Sequence, residues 1–223
     1  MDNNTKNYQA KRIGMTVFGI IVCGICVGFF KAAAFGVDPY QSLMSGLDAV
    51  IPLSFGTVYT IATAALLLFA LFADRHYIGL GTIINLLFLG YIAQFSLDIL
   101  QSIFPDPSVP LRILFLLIGI VFMCLSSSFY FTADMGVSTY DAVALILTSK
   151  WHLGRFKFIR ITTDLVCVAL GCTLYIIAGG NISALPSIAG IGTIITAFFM
   201  GPLIDFFNVH IAQPFLNGKP SQS

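Results

Sequence analysis

Two short stretches decide the fold: Gly36-Val37-Asp38-Pro39-Tyr40 and, one hundred positions later, Gly136-Val137-Ser138-Thr139-Tyr140. Each follows a long apolar run and opens a short, partly polar helical pattern. Glycine leaves the helical conformation easily, so each copy reads as a break followed by a new helix. Asp38 is a good N-cap, Pro39 suits the first helical position, and Gln41 takes the capping-box place. In the second copy Ser138 caps and Asp141 takes that place.

The correspondence continues outward. At the same offset stand Arg12/Arg112, Gly19/Gly119, Ile20/Ile120, Phe29/Phe129, Ala33/Ala133 and Thr63/Thr163. After an insertion in the second copy, Gly79-Leu80-Gly81-Thr82-Ile83-Ile84 aligns with Gly190-Ile191-Gly192-Thr193-Ile194-Ile195. Apolar helices resemble one another in general, but glycines and an arginine pair at fixed spacing mark an internal repeat.

Of the 223 residues, 57% are hydrophobic and 9% charged. Soluble domains carry roughly 25% charged residues. So few charges cannot cover a wetted surface, and lipid must be the solvent for most of this one. Apolar runs cover about 13–30, 55–73, 78–97, 111–131, 158–178 and 187–207. Each approaches the ~20 residues needed to cross roughly 30 Å of hydrocarbon. A β-barrel would alternate apolar and polar residues instead. The expected organisation is a cytoplasmic tail (1–12), a first membrane repeat (13–104), a Pro-rich link (105–110), a second repeat (111–208) and a cytoplasmic tail (209–223). The first apolar run is too long for a signal-peptide core and reads as a retained span.

The helical patterns after the two glycines, near 39–51 and 139–149, are too short to cross alone. Each is either a re-entrant half-helix lining a cavity or a helix lying in the interface. Positive charge orients the chain. Lys6, Lys11, Arg12, Arg75, Lys150, Arg155, Lys157, Arg160 and Lys219 fall inside, against Lys31 and Arg112 outside. Counting the short helices as spans exchanges only Arg75 and Arg112, so both termini are inside for six spans or eight. Helix length favours six. Three spans per copy is odd, so the copies are expected to be inverted. The fold class is thus an all-α membrane protein, with six transmembrane helices in two inverted three-helix repeats, each with a short re-entrant or interfacial helix.

The exposed N–H groups of two half-helices would suit a small anionic or polar solute. Asp38, Tyr40 and Gln41 stand at one such end, and Ser138, Tyr140 and Asp141 at the other. The same residues also suffice merely to start their helices. Arg160 and Asp164, four apart in the fifth span, share a face. Ionisable residues at depth are costly and often functional, though this arginine has the alternative of snorkelling with Asp164 neutralising it. Thr60 and Ala64 hold the matching places in the first copy.

The five cysteines all lie in apolar runs and read as packing residues. Gly24-x-x-x-Gly28 and Ser126-Ser127-Ser128 predict close helix packing, with a contact between the copies one option. Asp98 and Asp205 read as interface anchors. No P-loop, zinc spacing, His-Glu-x-x-His or Gly-x-Ser-x-Gly is present. The expectation is no enzyme, no cofactor, no metal and no nucleic-acid partner.

The repeated Gly-Val-x-x-Tyr and Gly-x-Gly-Thr-Ile-Ile motifs resemble the bacterial YczE/YyaS/YitT family, nearest its YczE branch. The best match is Gly190-Ile-Gly-Thr-Ile-Ile-Thr-Ala-Phe-Phe-Met-Gly-Pro-Leu-Ile-Asp205. The family motif often has Trp where Tyr40 and Tyr140 stand. The resemblance implies an integral protein of the bacterial plasma membrane and carries no settled activity or binding residues. The functional expectation is a small secondary transporter for a small molecule or ion. The alternative is a non-catalytic scaffold or regulatory subunit of another membrane protein, and a homo-oligomer or membrane partner stays open.

Overall fold

A computed structural model describes residues 3–154 and 156–217. Arg155 and Lys219 of the inner charge set lie outside the described residues, as does the side chain of Lys157. The elements are α1 (Asn3–Ala33), α2 (Pro39–Val50), α3 (Phe55–Ala73), α4 (Leu80–Ile103), α5 (Val109–Ala133), α6 (Thr139–Ser149), α7 (Phe156–Ile177), α8 (Leu185–Ile188), α9 (Ile191–Phe207) and α10 (Gln213–Asn217). Six of the helical segments are long and apolar enough to cross a membrane: α1, α3, α4, α5, α7 and the run built around α9. The chain is an all-helical, multi-pass integral membrane protein, with no strand among the described residues.

Helix ends follow local chemistry. Asp38 accepts the Gln41 N–H at 3.2 Å and Ser138 accepts the Asp141 N–H at 3.1 Å, so both expected caps form. Residues 3–12 hold no breaker, and α1 starts at Asn3 rather than where the apolar run begins. α4 runs on to Ile103 and ends before Pro105, because the residue ahead of a proline disfavours helix. The last apolar run is divided: α8 ends at Ile188, and Gly190 caps a fresh start at Ile191. The C-terminal tail is helical to Asn217, and its Ala212 and Leu216 pack against Met15 and Ala133.

The repeated glycines hold the molecule together by crossing between copies. Gly36 (φ +96°) packs its bare Cα against the backbone of Gly190 and the hydroxyl of Thr193. Gly136 (φ +99°) does the same against Gly79 and Thr82. Backbone hydrogen bonds close each junction: Gly192 N–H to Phe35 O at 2.7 Å, and Gly81 N–H to Met135 O at 2.8 Å. Thr82 Oγ1 adds a bond to Val137 O at 2.6 Å. Both conditions that demand glycine hold here, a left-handed φ and no room for a Cβ.

Arginine repeats the exchange. Arg112 donates to the Ala33 and Ala34 carbonyls at 2.7 and 2.9 Å, capping the end of α1. Arg12 donates to Ala133 O at 2.6 Å and to Asp134 O, capping the end of α5. Each guanidinium thus satisfies carbonyls that a helix C-terminus leaves open, and each does so for the other copy.

In lipid, apolar burial alone gives no association between helices, and close packing must supply it. α1 sits centrally, against α4 and α5. Against α5, Gly19 of α1 admits Tyr130, and Gly119 of α5 admits Phe30. Against α4, a Cβ at Gly24 of α1 would meet Ile92 at 2.7 Å and one at Gly28 would meet Ser96 at 2.5 Å. The Gly24/Gly28 pair therefore packs within the first copy, and the α1–α5 contact runs through Gly19 and Cys23. Asp98 and Asp205 are both exposed.

Gly36→Ala and Gly136→Ala are expected to lower stability sharply, since the positive φ alone costs about 1–3 kcal/mol before the backbone clash is added. Gly14→Ala and Gly201→Ala, where a Cβ meets nothing within 4 Å, are the neutral controls. Arg112→Met should lower stability by about 1.5–3 kcal/mol, the range for bonds to a charged group. Arg112→Lys should recover little of it, because an ammonium lacks the fork that reaches both carbonyls. Thermal unfolding in detergent, read with size-exclusion profiles, checks all of these.

Candidate functional site

The starts of α2 and α6 meet. Tyr40 and Tyr140, each the second residue of its helix, stack with ring centroids 4.8 Å apart and planes 19° from parallel. Each phenol is held by a threonine one span further on. Tyr40 OH lies 3.0 Å from Thr63 Oγ1, and Tyr140 OH donates to Thr163 Oγ1 at 3.3 Å and Asp164 Oδ1 at 2.5 Å. Tyr59 meets Tyr40 edge-on at 5.9 Å and donates to Asn85 Oδ1 at 3.3 Å. In the sequence, Thr63 and Thr163 serve only to fix the repeat register. Their pairing at the same offset as the tyrosines was the available signal.

Arg160 is turned inward. Its guanidinium pairs with Asp141 Oδ1, approaches Asp164 Oδ1 at 3.4 Å through Nε, and lies with Cζ 4.4 Å from the Tyr140 ring centre. Ser138 hydroxyl donates to the other Asp141 oxygen at 2.6 Å. A snorkelling arginine would have its head in water, whereas this one is held by a carboxylate from each of two helices. The side chains of Arg160, Asp141 and Asp164 are 32%, 22% and 16% exposed, so the network is only partly covered. An aromatic face adds attraction for a cation in such a setting.

Asp38 lies within electrostatic reach of both Arg160 and Asp164. Asp141 and Asp164 are the carboxylates in direct contact with the guanidinium. Cys23, well inside α1, lies in reach of Asp38 and Asp141 and sits 3.1 Å from Ser126 Oγ. Gln41 gives its backbone N–H to the Asp38 cap, but its Oε1 has no hydrogen-bond partner among the described residues. The hydroxyl of Tyr130 on α5 is likewise unpartnered there. Both residues are buried, at 4% and 5% exposure.

Of the eight residues read as solute-binding, Tyr40, Tyr140, Asp141, Arg160 and Asp164 form one contiguous network, with Ser138 bonded to its edge. Asp38 is near enough to feel its field, and Gln41 stands beside Asp38 with its side chain free. Two clefts open at opposite ends of α1. One, of about 360 Å³, is lined by Lys31, Gln101 and Arg112; the other, of about 570 Å³, by Arg12, Asp134 and Leu145. Neither is lined by a member of the central network.

No solved structure matches the chain. A protein of Haemophilus influenzae described as "Uncharacterized protein" is 25% identical over 206 residues, covering 92% of this chain and 87% of that relative. The model of a family of unknown function, DUF6198, matches residues 10–209, and the chain belongs to that family.

Proposed function

We propose that the protein is a small secondary transporter of the bacterial plasma membrane, built as two inverted three-span repeats. In this reading α2 and α6 are re-entrant half-helices that enter from opposite faces and meet at mid-depth. The observation that carries it is the Arg160 guanidinium, held by Asp141, Asp164 and the Tyr140 ring where the two half-helix starts stack on each other. Charged side chains at membrane depth mark solute or ion pathways, and broken helices at a repeat interface are where transporters place their sites.

Burial supports the half-helix reading. Gln41 and Ser42 are 4% and 0% exposed, whereas a helix lying in the interface would turn such residues to water. The reciprocal Gly36/Gly190 and Gly136/Gly79 junctions, and the crossed Arg12 and Arg112 caps, are what a twofold relation between copies would produce. The YczE/YyaS/YitT resemblance supports the plasma-membrane location, and the charge distribution supports both termini facing the cytoplasm. With no nucleotide motif in the sequence, the driving force in this reading is an ion or solute gradient, and the protein is not an enzyme.

The stacked tyrosines close the centre from both sides, so this arrangement corresponds to an occluded state. Rocking of one repeat on the other would part the stack toward one face at a time. The scaffold alternative drew on glycine-rich faces. Those faces are occupied within the chain: Gly24 and Gly28 by α4, and Gly46 and Gly171 by each other.

Uptake into proteoliposomes, screened over labelled small solutes, tests the reading. Asp164→Asn and Asp38→Ala should each reduce uptake by about tenfold or more, the scale of a lost charge contact of a few kcal/mol at the site. A stoichiometric partner captured by crosslinking in native membranes, with no flux for any solute, would instead establish the scaffold. Single cysteines at 37–51 and 137–149, in a background without the five native cysteines, test the half-helices. Labelling from the outer face for the first set and the inner face for the second is expected; one-sided labelling confined to the polar face of each helix would make them interfacial.

A further inference from the structure

The two carboxylates on Arg160 are held differently. Both oxygens of Asp141 are occupied: Oδ1 takes the guanidinium, and Oδ2 takes the Ser138 hydroxyl at 2.6 Å. Asp164 gathers its contacts on one oxygen. Its Oδ1 receives the Tyr140 hydroxyl at 2.5 Å and faces Arg160 Nε at 3.4 Å. Its Oδ2 has no hydrogen bond or ion pair among the described residues. A proton added to Asp141 must displace one of two partners. A proton added to Oδ2 of Asp164 displaces none, and both contacts to Oδ1 survive it.

Charge points the same way. Two carboxylates contact one guanidinium, and charges out of water are stable only when paired. One proton from solvent turns the Asp164 carboxylate into the acid and leaves Arg160 and Asp141 as a one-to-one pair. Facing Asp164 are Arg160 and Cys167 on its own helix, Tyr140 and Asp141 on α6, and Asp38 ahead of α2. Within α2, the Tyr40 hydroxyl is paired with Thr63, and Asp48 lies in the field of Lys31. The short α8, also packed on α7, has no ionisable residue. A metal cation is a poorer fit. Arg160 stands against Asp164, and among the described residues no three His, Cys or carboxylate side chains converge on a metal position. A proton needs only the one open lone pair.

We infer that Asp164 is a proton-binding site, taking up and releasing a proton on Oδ2 while Asp141 stays ionised against Arg160. This deepens the transporter reading and rests on it, with the proton as the coupling ion. One proton per chain is expected, because Ala64 holds the matching place in the first copy.

Acid titration of the purified full chain in detergent, followed by infrared absorption of protonated carboxyl groups, is the test. Wild type should gain one such group per chain between about pH 5 and pH 8, where exposed aspartates stay ionised. Asp164→Asn should lose it. Asp141→Asn makes Asp164 the sole carboxylate on Arg160, so the signal should persist with a proton affinity about tenfold weaker or more. Tyr140→Phe keeps the stacked ring and removes the hydroxyl that favours the carboxylate, so the affinity should rise severalfold. No signal in wild type, a signal that survives Asp164→Asn, or one that Asp141→Asn abolishes overturns the inference. If size exclusion shows that Asp164→Asn does not fold, the other two variants decide, and shifts that are absent or of the same sign overturn it. Proteoliposome flux separates the two readings. Solute flux without proton binding leaves the transporter standing and removes the proton site, while proton binding without flux for any solute does the reverse.

Discussion

The architecture depends on two places where backbone meets backbone with no side chain between. At Gly36/Gly190 and Gly136/Gly79, a turn from one copy of the repeat sits against the first residue of a helix from the other. In hydrocarbon the usual drive to bury apolar surface is missing between helices, and what remains is contact distance and hydrogen bonding. Glycine minimises the first, and the Gly81–Met135 and Gly192–Phe35 bonds supply the second. Once these junctions close, the starts of α2 and α6 have nowhere to point but at each other. The tyrosine stack, the threonine partners and the acid–arginine network all follow from that placement.

The centre that results is uneven in charge. One half carries Arg160 and Asp164 on α7, and the other has Thr60 and Ala64 at the corresponding positions of α3. A group of charges in a medium of low effective dielectric is stable only when paired and hydrogen-bonded. The second half meets that condition from within, by way of Asp141, Asp164, Ser138 and the Tyr140 ring. In the first half Gln41 Oε1 has no partner among the described residues.

Much of this was legible in the residues. The six spans, the two short helices, both N-caps and the repeat register are all carried by local signals such as apolar run length, glycine placement and capping chemistry. The clustering of Tyr40, Tyr140, Asp141, Arg160 and Asp164 was partly legible too, because the tyrosines and Asp141 stand at the starts of the short helices and Arg160 and Asp164 share a face. The crossing of contacts between copies could not be read. Gly36 carries no mark saying that Gly190, rather than Gly79, is its partner, and Arg12 none pointing to Ala133. Such pairings are fixed by three-dimensional closure and not by periodicity. For the same reason Gly24/Gly28 packs on α4, where one option had been a contact between copies. The inward turn of Arg160 was likewise invisible, since its position near a span end allowed it to face water equally well.

The crossed caps also bear on how the chain is made. Synthesis proceeds from the N-terminus, so α1 and α2 exist before the residues that complete them. The Ala33 and Ala34 carbonyls wait for Arg112, and the Gly36 turn waits for Gly190 to Thr193 near the far end of the chain. The earliest turn to be synthesised is therefore locked by nearly the last helix to arrive. A chain that stops after the Pro-rich link lacks the Arg112 and Gly190 contacts that these turns make in the complete fold.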